Sequence, residues 1–138
     1  MPCHYVIDKE HRLVIATGVG EVTFAEMKEF QDRLRNDPDF DPEFNQLIDA
    51  TGVVKVELSR DAAQILTSRN IFSPVSRRAL VAHKPAVFGV GRMLMTYFEL
   101  AIRPSQTNAF YEFAPALEWL GVEGMALPGK DQSAKGGA

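Results

Sequence analysis

Along this chain the apolar residues change their period several times, and those changes divide it into elements. The runs Tyr5-Val-Ile-Asp and Leu13-Val-Ile-Ala are β-branched and flank the charged stretch Lys9-Glu-His-Arg, so they read as a β-hairpin. Gly18 and Gly20 are expected to end its second strand. Thr23 and Glu26 form a capping box, in which each side chain reaches the other residue's backbone amide. Phe24, Met27, Phe30 and Leu34 then recur at spacings of three and four, which predicts a helix with one buried face. Asp37-Pro38 stops it, because proline disfavours helical geometry in the residue before it.

Residues 45–50 (NQLIDA) form a short apolar run suited to a buried strand. Ser59 is the expected N-cap of a second helix carrying Ala62, Ala63, Ile65 and Leu66, and Pro74 closes the connection after it. Residues 78–82 read as the next strand. Pro85 suits the first turn of a third helix running to about Ile102, before Pro104. Residues 107–111 are the last strand, and Pro115 opens a short helix with Leu117, Trp119 and Leu120 that Gly121 ends. The order β-β-α-β-α-β-α-β-α predicts a single α/β domain over residues 1–121, with a mixed, mostly parallel sheet and crossover helices. Residues 122–138 read as a flexible tail. There is no internal repeat.

The third helix is the least ordinary element. From Val87 to Ile102, eleven residues are apolar, two are glycine, and only Arg92, Thr96 and Glu99 are polar, on one narrow stripe. Such a helix is either nearly buried within the monomer or shows a second apolar face to a partner or ligand. Phe88, Met95, Phe98 and Trp119 are the candidate lining of that seam or pocket, which makes a homodimer through the 85–102 helix an expectation.

Composition adds bounds rather than a function. With 138 residues, 46% hydrophobic and 24% charged, the chain is long enough for its own core. Cys3 is the only cysteine, no secretory signal is visible at the amino terminus, and no apolar run approaches a membrane span of roughly 20 residues. A soluble, cytoplasmic protein is the expectation. Net charge is −3, which speaks against a nucleic-acid binder. Bases nevertheless outnumber acids eight to three over residues 51–105, so Arg77, Arg78, Lys84 and Arg92 are a candidate patch for an anion or an acidic partner.

Candidate chemistry mostly fails on spacing. The alternating acids Asp37, Asp39, Asp41 and Glu43 suggest calcium, but the positions an EF-hand gives to glycine and glutamate hold Pro42 and Ile48. Gly89-Val-Gly91 lacks the rest of a dinucleotide or phosphate loop. His4, His11 and His83 are scattered, and Ser59 with Asp61 has no nucleophile elbow around it. No metal, no cofactor and no catalytic set is expected.

Taken together, Tyr5-Val-Ile-Asp-Lys, Asp37-Pro-Asp-Phe-Asp-Pro, Asn45-Gln-Leu-Ile-Asp, Ser76-Arg-Arg-Ala-Leu-Val-Ala, Phe88-Gly-Val-Gly-Arg-Met and Ala116-Leu-Glu-Trp-Leu-Gly make residues 4–121 resemble the SpoIIAA-like, STAS-type domains of bacteria, in particular their stand-alone members. The resemblance implies a small mixed sheet covered by helices and a regulatory, protein-interaction role. In anti-sigma-factor antagonists of that family a strand like 47–53 leads to Asp-Ser-Ser/Thr-Gly, whose serine is phosphorylated. The corresponding residues here are Glu57, Leu58, Ser59 and Arg60, so the modified serine is replaced by Leu58. Ser59, at the neighbouring N-cap, becomes the phosphorylation candidate. CRAL-TRIO lipid-transfer domains share a related architecture, which makes a small apolar ligand or lipid the alternative.

Overall fold

The computed structural model describes residues 3–101 and 106–127. The expected hairpin forms from β1 (Cys3–Asp8) and β2 (Leu13–Thr23), antiparallel, with Ile7 opposite Val14. Its turn places Arg12 at φ 52 and is tied by the Asp8 carboxylate, which accepts from the backbone amide of His11. β3 (Asn45–Glu57), β4 (Arg77–Val81) and β5 (Gln106–Phe110) follow β2 in spatial order β1-β2-β3-β4-β5, each parallel to its predecessor. The four helices are α1 (Phe24–Arg35), α2 (Arg60–Thr67), α3 (Pro85–Ala101) and α4 (Phe113–Leu120). The element order is the expected one, and the fold is a five-stranded mixed sheet with four helices.

Two boundaries differ from expectation for a physical reason. Gly18 and Gly20 do not end β2, which continues to Thr23 alongside an equally prolonged β3. Register shifts between Thr17 and Val19 and between Gly20 and Glu21 mark irregular pairing there, and Gly20 takes φ +69. The glycines thus permit a bulge instead of a stop. Likewise Pro115 does not open α4 but lies in its first turn, where a missing N–H costs no helical hydrogen bond. The capping box at Thr23 and the left-handed cap at Gly121 form as read.

Strand alternation divides the interior. Leu13, Ile15, Leu47, Ala79 and Val81 pack under Ala116, Leu117 and Leu120 of α4. Val122, Met125 and Leu127 also lie against this cluster, so contacts with the core continue past Gly121; residues 128–138, the rest of the expected tail, lie outside the described residues. The opposite face, with Val14, Ala16, Gln46, Ile48, Arg78 and Leu80, is covered by α1, α2 and α3. α3 is seated very close to β4. A Cβ on Gly91 would fall 2.6 Å from Cδ2 of Leu80, whereas one on Gly89 would meet nothing within 4 Å.

Polar ties fix the edge of this layer. Tyr5 donates its hydroxyl to Asp37 Oδ2 at 2.7 Å, linking β1 to the segment after α1. Gln31 donates to the Leu66 carbonyl at 3.1 Å, and Arg69 reaches Gln31 Oε1 at 3.0 Å and also pairs with Asp32. α1 and α2 are thereby braced along their outer side.

Two outcomes follow. Gly89→Ala is expected to stabilise the protein by about 0.5–1 kcal/mol through helix propensity. Gly91→Ala is expected to destabilise it by about 1–3 kcal/mol by overpacking against Leu80. Urea unfolding of both variants checks the pair, and equal effects would contradict the close seat of α3. The second outcome concerns Tyr5 and Asp37. The hydroxyl bond holds the Asp37 carboxyl below its ordinary 3.8, and burial followed by Asp37 pushes Tyr5 from 10.0 up to about 12. The tyrosine's contribution is complete below pH 10.0 and is lost as pH rises through about 12; the aspartate's is complete above 3.8 and is lost as pH falls through its lowered value. Tyr5→Phe should therefore cost about 0.5–1 kcal/mol at neutral pH and progressively less outside that window. Stability curves of the two proteins at several pH values would expose a constant difference, which would disprove the link.

Candidate functional site

Between the sheet and the three helices lies a partly open cavity of about 160 Å³. Its floor is Ala16, Gln46, Ile48, Arg78 and Leu80, consecutive same-face positions of β2, β3 and β4. Its walls come from Met27, Phe30 and Leu34 of α1, Leu66 of α2, and Val87, Val90, Leu94, Met95 and Phe98 of α3, with Phe72 from the α2–β4 connection. The lining is overwhelmingly apolar. Its volume is close to the roughly 150 Å³ of an engineered apolar cavity that takes up benzene.

Arg78 is the exception on the floor. It is only 9% exposed, and its position on a central strand points it into this layer. Nε donates to Gln46 Oε1 at 3.1 Å, across the Gln46–Arg78 pair of the β3–β4 register. The guanidinium carbon sits 3.7 Å from the ring centroid of Phe98 and 4.7 Å from that of Phe72, so two ring faces meet the cation. Among the described residues neither Nη makes a hydrogen bond, and no carboxylate forms an ion pair with Arg78. Burial pulls this guanidinium from 12.5 down to about 9, leaving it charged at neutral pH. Asp49, also in the lining, accepts from the amide and hydroxyl of Thr51 at 3.0 and 2.6 Å. Cys3 lines another part of the cavity, and burial raises its thiol above the ordinary value.

The structure brings some of the expected site residues together and separates others. The four bases do not form one surface. Arg78 is interior, while its neighbour Arg77 is exposed and donates to the Trp119 carbonyl at 2.9 Å on the α4 side, because adjacent strand residues point to opposite faces. Lys84 and Arg92 are exposed before and along α3. Of the four aromatic and methionine candidates, Met95 and Phe98 line the cavity. Phe88 instead stacks on Tyr111, with ring centroids 3.9 Å apart, and Trp119 belongs to α4 beyond the sheet. The apolarity of α3 has a source within the monomer: Val87, Gly91, Met95 and Phe98 are buried, and Val90 and Leu94 also line the cavity. Ser59 is exposed, and its Oγ accepts from the Ala62 amide at 3.1 Å as the N-cap of α2. Gln46 and Phe72 were not expected in a site. A glutamine inside an otherwise apolar strand run was the available signal for the first; the second comes from a loop whose course the sequence does not reveal.

No helix of the described residues is long and apolar enough to cross a membrane. In sequence, no family model and no curated protein matches the chain. In structure, it is similar to an uncharacterised protein of the DUF3478 family from Shewanella loihica PV-4, at a TM-score of 0.54 and 19% identity over 86% of this chain and 91% of that one. That protein has a SpoIIAA-like fold, and the architecture described above is the same fold.

Proposed function

We propose that this domain binds a small, largely apolar molecule between its sheet and the α1–α3 layer, and acts without a catalytic step of its own. The cavity carries the reading. Protein interiors are close-packed, and a void of this size costs stability unless something else favours it. Here the void is bounded by residues of seven elements and of the α2–β4 connection, and polar ties brace the α1–α2 edge beside it. Its volume suits a body of roughly benzene size, well below a phospholipid.

The regulatory, protein-interaction role implied by the STAS resemblance is the other reading, with a homodimer along α3 as its concrete form. It rests on the fold alone, whereas the ligand reading has an observation of its own. Much of the apolar surface that suggested the α3 seam is used inside the monomer.

Neutral molecules of the right size test the proposal. Toluene or indole at saturating concentration is expected to raise the melting temperature, since a ligand that binds only the folded state stabilises it by about 2.7 kcal/mol at a hundred times its Kd. Leu94→Trp, which places bulk in the cavity, should abolish that shift while the protein stays folded by circular dichroism. No shift with any neutral molecule between benzene and naphthalene in size would end the proposal.

A further inference from the structure

We infer that the molecule held in this cavity is a small monocarboxylic acid, its carboxylate taken by Arg78 and its apolar body filling the space beside Phe98, Met95 and Leu66. The inference rests on the binding reading and deepens it by naming the class of ligand. A guanidinium has five N–H donors in a planar fork, and a carboxylate accepts two of them in parallel. In Arg78 one donor is used, by a neutral amide, and the side chain is nine-tenths buried. Buried charges are ordinarily paired, because an uncompensated one destabilises the fold even after the surroundings relax. This protein supplies two ring faces and Gln46, which hold the cation without neutralising it.

The lining also limits the anion. Among the described residues of the lining, Arg78 is the one basic side chain and Asp49 the one acidic side chain, and Asp49 accepts from the amide and hydroxyl of Thr51. A monocarboxylate meets the unused N–H donors of Arg78 with a single charge; phosphate as a dianion would bring a second one into an apolar space that already holds the Asp49 carboxyl group. The volume of about 160 Å³ admits benzoate or a short branched chain and excludes a diacyl lipid.

Isothermal titration of the unmodified protein with benzoate, benzamide, toluene and inorganic phosphate separates this inference from the cavity itself. Benzoate is expected to bind at least tenfold more tightly than benzamide, with toluene measurable and phosphate absent. Two variants assign the preference to Arg78. In Arg78→Met with Gln46→Leu, both hydrogen-bonding partners are removed together, so no buried acceptor is stranded; benzoate should lose its advantage while toluene still binds. In Gln46→Glu, an internal carboxylate competes for the guanidinium; benzoate affinity should fall at least tenfold with the melting temperature kept or raised.

Equal binding of benzoate and benzamide to the unmodified protein would overturn the inference and leave the cavity reading standing. Tighter binding of phosphate than of benzoate, or a benzoate preference that survives loss of Arg78, would also overturn it. Failure of toluene and benzoate alike would overturn both readings.

Discussion

The parallel pairing of β2, β3 and β4 is the constraint on which the rest of this structure depends. Once Ala16 is opposite Ile48 and Ile48 opposite Leu80, every second residue of three central strands is committed to the same layer. One set, with Leu47, Ala79 and Val81, is sealed by the short, apolar α4. The other set must be covered by three helices that arrive from different points along the chain. A slip of one residue in β4 would exchange Arg77 and Arg78 and place Leu80 under α4. The register alone therefore determines that the floor of the helical layer carries a cation.

The two faces are closed to different degrees because their covers differ in how they approach. α4 lies against β3, β4 and β5 with small and medium residues, Ala116 and Leu117, directly on the strands. On the other side α3 approaches the sheet closely at Gly91, where Leu80 fills the place of a side chain. α1 and α2 are joined to each other by Gln31, Arg69 and the Leu66 carbonyl. Helices held at their edges cannot all collapse onto the sheet, and the space left over collects where they meet.

Much of this was legible in the residues, and what was not has identifiable causes. The order of elements followed from period and caps, because Thr23–Glu26, Ser59 and Gly121 each answer a local need of the backbone. The long tongue of β2 and β3 did not, since Gly18 and Gly20 serve a bulge as readily as an end. The basic patch illustrates a different difficulty. Charge counting groups Arg77 with Arg78 because they are adjacent in sequence, whereas a strand sends adjacent residues to opposite faces. Reading residues 78–82 as a buried strand already implied that an arginine at its edge had to be explained individually. Of the cavity, the sequence offered only Met95 and Phe98 as candidate lining; its place and extent were not legible, because an unfilled volume is a property of how several elements meet and of none of them singly.

A ligand in that volume would touch the sheet through Gln46, Ile48 and Leu80 and the helical layer through Leu66, Met95 and Phe98. Its binding energy would accordingly act on the spacing between the layers. This bears on the relation between the ligand reading and the regulatory one. A domain whose helices shift or stiffen with occupancy presents two surfaces to its surroundings, and the exposed sides of α2 and α3, with Arg60, Asp61, Arg92 and Glu99, are what would differ between them. Such a device needs neither a nucleophile nor a phosphorylated serine at the position now held by Leu58. It needs a site that discriminates its ligand and a cover that responds to it, and the proposed carboxylate site at Arg78, beneath α1, α2 and α3, would supply the first in a way that an apolar floor alone would not.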